Sequence, residues 1–558
     1  MKTIKHTAFA LTLAFLFNAC DQEVINLKDA ECAQDPSKCP DLCDSAEPGT
    51  ADFSKFIAIG NSLVAGVQGG ALYTESQNNS LPAIINKQLE CAGGSSTFNQ
   101  PTINASLGWN LFVTQPFLTN PAAPILGTLK LEYGDPSCSS PSAPSVAPAP
   151  QAYAPGNLEA LPNPQANPGF LYGGGKGSLN NFGIPAILLG QSLIPETGKW
   201  SGAGTDPRFN PFYGRLAYPG GTSTLIGDAA AAGGTFFLFW LGLDDFFLYA
   251  AFGGDPTRAP LTPATAGGGP AGFDFQYAAA VGSLLASNAE LEGVVGNFPD
   301  IFKMPHFTSV PYNPIPLDQA TVTQLTTGFA GYNAVLDALV ANKQAFGISD
   351  ALAAEIASRK VAFEVSCNNK ILMKDEALVD LGPYFDALEG AGQISAGQRA
   401  QLAPYQQVRH TTPTDVIPLS TGSVLGTNGT FGILGVSEPV GDQYVINPQE
   451  KTEINDARLA YNQIIANIVS ANSSRLALAD INASFESIGT GVVKNGVFVT
   501  PNINPPTGMF SEDGVHPNSR GYAYLAGIFI EAINAKFGST IPTPNLGMYE
   551  ATDLPITP

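Results

Sequence analysis

Short apolar runs of strand length recur along this chain and alternate with segments of helical spacing. Residues 53–60 (FSKFIAIG) and 235–242 (TFFLFWLG) have the pattern of strands buried on both faces. Further strands are expected within residues 293–311 and at residues 476–480, and residues 521–537 have the pattern of a final amphipathic helix. This repetition of strand, helix and strand predicts an α/β fold with a central parallel sheet.

The domain organisation follows from the same pattern. With no internal repeat and no break in composition, the sequence predicts one large domain over residues 51–540. Insertions are expected around residues 92–235, where Pro, Gly, Ser and Asn dominate, and around residues 340–415. Residues 541–558 are expected to form a C-terminal tail.

Charge and composition exclude two classes of protein. The chain has 558 residues, with 26 Lys and Arg against 47 Asp and Glu, a formal net charge of −21. Phosphate binding needs a basic surface, so nucleic acid is excluded as the main partner. Hydrophobic residues make up 44% of the chain, which supplies a large core and excludes global disorder.

The N-terminus predicts export and a lipid anchor. Residues 1–19 combine early lysines with an apolar run of about ten residues, too short to span a bilayer and typical of a signal peptide. Ala19 followed by Cys20 resembles a bacterial lipoprotein cleavage site, at which Cys20 is lipidated; an ordinary signal peptide with a chance Cys is the alternative. Residues 20–50 then form a Cys- and Pro-rich tether. The expected location is the bacterial outer membrane, on its periplasmic or its surface-exposed face.

Six further cysteines follow the lipidation site: Cys32, Cys39, Cys43, Cys91, Cys138 and Cys367. In an exported protein these predict disulfides, whose pairing stays open. Cys91 and Cys138 are one candidate pair, and Cys367 is a candidate buried free thiol. A metal site at the first three cysteines is a weaker alternative, because no His and no second CxxC lie near them.

Histidine is scarce, so a mechanism based on imidazole has few candidates. After the signal peptide the chain has His306, His410 and His516. Asp513 lies three residues before His516, where its carboxylate can hold one imidazole nitrogen and leave the other free as a base. A simple loop hydrogen bond is the alternative for this pair. His306 is interpreted as a packed loop residue, with a place at the pocket rim as the alternative.

Ser62 lies between a predicted strand and a predicted helix, within residues 59–66 (IGNSLVAG). Such a turn presents a hydroxyl at the carboxyl edge of a parallel sheet, where ligands bind in open α/β folds. The start of the helix adds free N–H groups for a developing oxyanion. Taken alone, Ser62 is more typical of a helix N-cap.

The segment GNSL at residues 60–63 and the segment DGVHP at residues 513–517 together resemble the GDSL (SGNH) hydrolases, most closely the large lipoprotein-type members of Bacteroidetes. In the first segment Asn replaces the Asp of the family signature. The resemblance implies a flavodoxin-like three-layer α/β/α fold and ester hydrolysis without a metal or other cofactor. It also implies that Ser62 is the nucleophile, His516 the base and Asp513 the residue that orients the base.

The resemblance further implies an oxyanion hole in which two donors join the N–H of Ser62. Residues 180–187 (NNFGIPAI) resemble the block that carries a Gly donor and place Ala186 at its position. Residues 239–245 (FWLGLDD) resemble the block that carries an Asn donor and place Asp244 there. An ionised Asp only accepts hydrogen bonds and repels an oxyanion. A protonated Asp, favoured by the neighbouring carboxyl, donates instead.

These observations predict an exported, lipid-anchored serine esterase, lipase or carbohydrate acyl esterase. Its partners are a small-molecule, glycan or lipid ester substrate and, through the anchor alone, the membrane. The alternative, motivated by Asp244, is a catalytically impaired surface lipoprotein of the same fold that binds glycan or lipid. A third hypothesis is a structural protein of the envelope with an acidic surface.

Overall fold

The computed structural model describes residues 42–103, 108–110, 128–133, 148–152, 172–202, 205–217 and 220–553. The predicted signal peptide, Cys20, most of the tether and Cys138 lie outside these residues. Within the described ranges, no helix combines the length and the apolar character that crossing a membrane requires.

The main sheet has five parallel strands within the described chain: β1 (Phe56–Gly60), β2 (Asn181–Gly183), β3 (Phe236–Trp240), β4 (Glu292–Gly296) and β5 (Leu476–Ala479). Their order across the sheet is 2-1-3-4-5. The chain passes from β1 to β2 on one side and then crosses to β3 on the other side of β1. In such sheets the carboxyl ends of the two strands beside the crossing form a crevice, and this is where ligands bind.

The predicted α/β architecture with a parallel sheet is confirmed, and β1, β3 and β5 lie where the sequence places them. The strand expected within residues 293–311 is β4, at the start of that range; Pro299 and Pro305 follow it, and proline cannot continue a central strand. β2 was not expected, because it has only three residues and lies within a loop-rich region.

Helices pack against the sheet in two groups. One group consists of α2 (Leu81–Leu89) and α7 (Ser519–Phe537); the other consists of α3 (Leu225–Ala231), α5 (Phe273–Ser287) and α6 (Pro448–Ala471). Two further helices start directly after sheet strands, α1 (Ser62–Ala65) after β1 and α4 (Asp244–Ala251) after β3. The remaining helices are Thr74–Asn78, Pro211–Ala217, Pro305–Thr308, Gln319–Ala341, Asp350–Ser358, Gly382–Gly390, Ala396–Leu402 and Ile481–Ile488.

Short two-stranded antiparallel ladders lie outside the main sheet. They pair Ala71–Leu72 with Trp109–Asn110, Leu129–Tyr133 with Pro148–Ala152, Ile315–Leu317 with Ser366–Asn369, Leu372–Lys374 with Val408–His410, and Val492–Lys494 with Val497–Val499.

A second hydrophobic core lies in the segment between β4 and β5. This segment, the insertion lobe (residues 310–446), buries its own apolar side chains, among them Leu336, Ile356, Leu372 and Phe385. The insertion expected around residues 340–415 lies inside it. The sheet and its helices form the first core, so the chain folds around two apolar centres.

The disulfide bonds contradict two of the predictions made for the cysteines. Cys43 forms a disulfide with Cys91, which therefore does not pair with Cys138. Cys367 is half-buried and disulfide-bonded, so it is not a free thiol. The Cys43–Cys91 bridge fastens the end of the tether to the segment after α2.

Candidate active site

Ser62 is the first residue of α1, at the carboxyl end of β1. The residue before it, Asn61, caps this helix, because its Oδ1 accepts the N–H of Leu63 at 3.1 Å. The N-cap interpretation of Ser62 is therefore wrong. Gly60 permits the tight turn, since a Cβ there would lie 2.5 Å from the carbonyl oxygen of Trp240. Ser62 is buried but remains 6% exposed.

Asp513 and His516 form a buried pair in the loop that precedes α7. The Nδ1 of His516 lies 2.8 Å from Oδ2 of Asp513, and the other carboxylate oxygen accepts the N–H groups of Val515 and His516 at 2.8 Å each. Burial alone would raise the pKa of Asp513, but the imidazole and these two N–H groups outweigh it and hold the pKa below its ordinary value. An ionised Asp513 fixes the tautomer of His516 with Nδ1 protonated and Nε2 as the free base.

The Nε2 of His516 is buried and has no hydrogen-bond partner among the described residues. A buried nitrogen without a partner is costly, so it marks a position where a further group is expected to bind. This is the arrangement that a general base requires.

The loop of His516 is tied to the turn that follows α1. The N–H of Gly69 donates to Oγ of Ser511 at 2.8 Å, and the N–H of Gly70 donates to Oδ2 of Asp513. Tyr522 of α7 donates its hydroxyl to the carbonyl of Val67 at 2.7 Å. Residues 442, 443 and 455 positions apart in the chain are thus joined at the segment that follows Ser62 and α1.

Ser62 and His516 therefore lie at the same edge of the sheet, although no hydrogen bond joins their side chains in the part of the chain that the structure describes. Catalytic hydrogen bonds between a nucleophile and its base are often long in proteins without substrate and shorten in the complex.

The backbone N–H groups of Ser62 and Ala186 are among those at this edge that have no acceptor within the described ranges. Ala186 follows β2 in a turn and has a φ of +54°, in the left-handed region that favours glycine. This conformation costs a residue with a Cβ about 1–2 kcal/mol. Asn210 holds the turn by donating its Nδ2 to the carbonyl of Pro185 at 2.8 Å.

Asp244 starts α4 beside Ser62 and is 4% exposed. Its Oδ1 accepts Nδ2 of Asn61 at 3.1 Å, while its Oδ2 is buried without a partner among the described residues. Burial, together with the charge of Asp245, raises the pKa of Asp244 to about 8, and the bond from Asn61 only partly opposes this.

Asp245 has a different environment. It accepts the N–H of Leu189 and the hydroxyl of Thr262, each at 2.8 Å, and burial raises its pKa to about 6. Asp244 therefore keeps its proton to a higher pH than Asp245 does. In its protonated form, Asp244 has at Oδ2 a hydrogen-bond donor without an acceptor among the described residues.

No known family model, curated protein or solved structure matches this chain.

The groups around Ser62 form a polar centre beside an apolar pocket. A hydroxyl, an imidazole with the carboxylate bonded to it, and three unused donors lie at the carboxyl edges of β1, β2 and β3. An apolar pocket adjoins them, and its wall includes Leu63, Val515 and Pro517, the chain neighbours of the hydroxyl and the base. A polar centre beside an apolar pocket is typical of a site that binds a small molecule.

Acidic side chains that could hold a cation occur elsewhere. Within the described ranges, Glu376, Asp442 and Glu450 place one carboxylate oxygen each within 4.8 Å of one another. Glu450 already accepts the N–H of Asn447 at the start of α6. None of the three belongs to the site around Ser62.

Two parts of the site were missed by the sequence analysis. Asn61 was noted only as a replacement in the signature, yet it caps α1 and also binds Asp244. His306 was interpreted as a packed loop residue, and it does pack, but against the loop of Asp513. Both contacts join residues about 200 positions apart, so no local spacing in the sequence indicates them.

Proposed function

We propose that this protein is an exported serine hydrolase of the SGNH type that cleaves carboxylic esters. The observation that carries the proposal is the buried Asp513–His516 pair with its free Nε2, at the same sheet edge as Ser62. The order of the strands supports a flavodoxin-like three-layer fold, because doubly wound sheets of that class run 2-1-3-4-5.

In the proposed reaction, Oγ of Ser62 attacks the ester carbonyl while Nε2 of His516 accepts its proton. The imidazolium is held by Asp513. The oxyanion accepts hydrogen bonds from the N–H groups of Ser62 and Ala186 and from Oδ2–H of Asp244. The alcohol leaves with the proton of His516, and water, deprotonated by the same base, then releases the acid from Ser62.

Two of the three departures from the family pattern, those at Asn61 and Asp244, support each other. Where the family has Asp and Asn, this chain has Asn61 and Asp244, and their side chains are hydrogen-bonded. The amide and the carboxyl have exchanged positions, so the pair still contains one amide and one carboxyl. We propose that the protonated carboxyl of Asp244 replaces the usual amide as the donor.

Export and anchoring belong to the same proposal. The lipid at Cys20 and the outer-membrane location rest on the sequence of the N-terminus, and the Cys43–Cys91 disulfide is consistent with an oxidising compartment. Labelled palmitate should be incorporated into the full chain expressed in a bacterial host and be absent from Cys20→Ala. Equal labelling of both proteins would contradict the anchor.

A fluorophosphonate serine probe tests the catalytic proposal directly. It should label the wild type at Ser62 and fail to label Ser62→Ala, because the probe reacts only with an activated hydroxyl. Ser283→Ala is the matched control, since Ser283 is exposed on α5 and its labelling should equal that of the wild type. Hydrolysis of p-nitrophenyl acetate should follow the same pattern.

The same experiment addresses the binding-only alternative. If the wild type is inert towards probe and ester but Asp244→Asn gains activity, then Asp244 has disabled the site and the protein is a binding lipoprotein of this fold. A wild type that is labelled and hydrolyses esters rejects that alternative.

A further inference from the structure

His306 lies in the short helix Pro305–Thr308 and contacts the loop of Asp513 through two hydrogen bonds. Its backbone N–H donates to the carbonyl of Gly514 at 2.9 Å, and its Nδ1 lies 3.1 Å from the carbonyl oxygen of Asp513. One residue therefore binds two consecutive carbonyls of the loop that presents the catalytic pair.

The approach of the two segments is close and depends on glycine. Gly514 has a φ of +69°, and a Cβ at this position would lie 2.6 Å from the backbone nitrogen of His306. Any other residue at 514 would push the loop away from His306. The backbones of the His306 helix and of the Gly514 loop therefore determine this contact.

The protonation state of His306 follows from its partners. A carbonyl only accepts, so Nδ1 must carry the proton, and the lone pair is on Nε2. That Nε2 is buried without a partner among the described residues, and His306 is 4% exposed. Burial lowers the pKa of His306, against the opposing influence of Asp513, so the ring is neutral and serves as a fixed donor.

The loop is consequently held from two sides. On the carboxylate side, Gly70 donates its N–H to Asp513. On the carbonyl side, His306 binds the backbone of the same residue. A side chain that was merely packed would not need a hydrogen bond to the backbone of the residue that orients the base.

We infer that His306 is a positioning residue for the catalytic pair, acting through the backbone of Asp513 and Gly514 to fix the geometry of the Asp513–His516 hydrogen bond. The expected effect of His306 on the reaction rate rests on the proposed function. Its expected effect on the hydrogen bond between Asp513 and His516 does not. A misplacement of about 1 Å in a reacting group lowers rates by about 100-fold.

Two substitutions at His306 separate a donor from simple packing. His306→Leu removes the Nδ1–H, whereas His306→Asn keeps an amide N–H near the same position. His410→Leu is the matched control, because His410 is a half-buried histidine of the insertion lobe and bonds to Ala362 instead. Thermal unfolding verifies that each variant is folded.

The first measurement is the low-field proton NMR signal of Nδ1–H in His516. This signal is assigned by its loss in His516→Ala. It should persist in the wild type, His306→Asn and His410→Leu, and be lost or shifted in His306→Leu. The second is ester hydrolysis: His306→Leu should lower kcat by about 10- to 100-fold at unchanged KM, while His306→Asn stays close to the wild type.

An unchanged signal and kcat in His306→Leu would overturn the inference, as would an equal loss in the Leu and Asn variants. Absence of activity in the wild type would instead contradict the proposed function. The proton signal still decides the role of His306 in that case.

Discussion

Two of the regions that contain buried carboxyl groups, the insertion lobe and the sheet edge, differ in what surrounds these groups. In the insertion lobe, Asp375 and Asp415 both bind Arg409, which contacts Asp415 through two nitrogens at 2.7 Å each. At the sheet edge, Asp244 and Asp245 adjoin each other and no cation pairs with either of them in the described chain.

The difference indicates which region is built for stability and which for chemistry. Buried charges cost several kcal/mol each unless they are paired, so a paired cluster is a structural feature. A carboxyl that stays unpaired shifts its pKa instead, and such groups concentrate at functional sites. The two regions should therefore respond differently to substitution, the lobe in stability and the sheet edge in activity.

The largest effect is expected from Asp513→Asn. The amide no longer fixes the tautomer of His516, so kcat should fall by about 10⁴-fold. The same change in the lobe, Asp415→Asn, should lower stability and leave kcat unchanged. Steady-state hydrolysis of p-nitrophenyl acetate and thermal unfolding of both variants measure the contrast; a similar kcat in the two variants would contradict it.

Arg409→Leu tests the paired region. It leaves two buried carboxylates without their cation, which should lower the free energy of unfolding by about 3–5 kcal/mol. Arg208→Leu is the control, because Arg208 binds Asp206 in the same two-nitrogen fashion at the surface and should leave stability nearly unchanged. Urea unfolding measures both. Equal effects would show that burial is not what distinguishes the two pairs.

Asp244 predicts the pH dependence of activity. Its donor is present only in the protonated form, so the rate should fall as pH rises through its pKa of about 8. In Asp244→Asn the donor does not titrate, and at pH 9 this variant should be about tenfold faster than the wild type. Profiles of kcat/KM from pH 6 to about 10 test this; parallel profiles would exclude Asp244 as a donor.

The smallest effect is expected from Ala186→Gly. Glycine relieves the left-handed backbone but loses more entropy on folding, so the free energy of unfolding should rise by at most about 1 kcal/mol. Ala278→Gly, on the exposed face of α5, should instead lower it by a similar amount. A loss of stability in both variants would mean that the turn at Ala186 is not strained.

The strands of the main sheet differ in how well the sequence could predict them. β1 and β3 are continuous apolar runs, so their burial on both faces was predictable. β2 was not, because it has three residues and begins with Asn181, whose side chain is buried and donates to the carbonyl of Val64. A polar residue in a very short strand gives no hydrophobic pattern to detect.

The contacts in the candidate site also differ in how well the sequence could predict them. Asp513 and His516 are three residues apart, and a loop with that spacing brings the carboxylate to the ring by itself. The bond from Asn61 to Asp244 spans 183 residues and depends on β1 and β3 being neighbours. Local chemistry was therefore predictable, and contacts made by the order of the strands were not.

The attachment of the chain ends has a consequence for access to the site. The segment before β1 is bonded to the end of α7, with the N–H of Thr50 donating to Phe537 and that of Thr540 donating to Glu47, each at 2.9 Å. α7 starts beside His516 and runs back along the sheet, so this attachment lies at the amino ends of the strands. The segment that would carry the proposed lipid on Cys20 therefore joins the domain at the end opposite to Ser62.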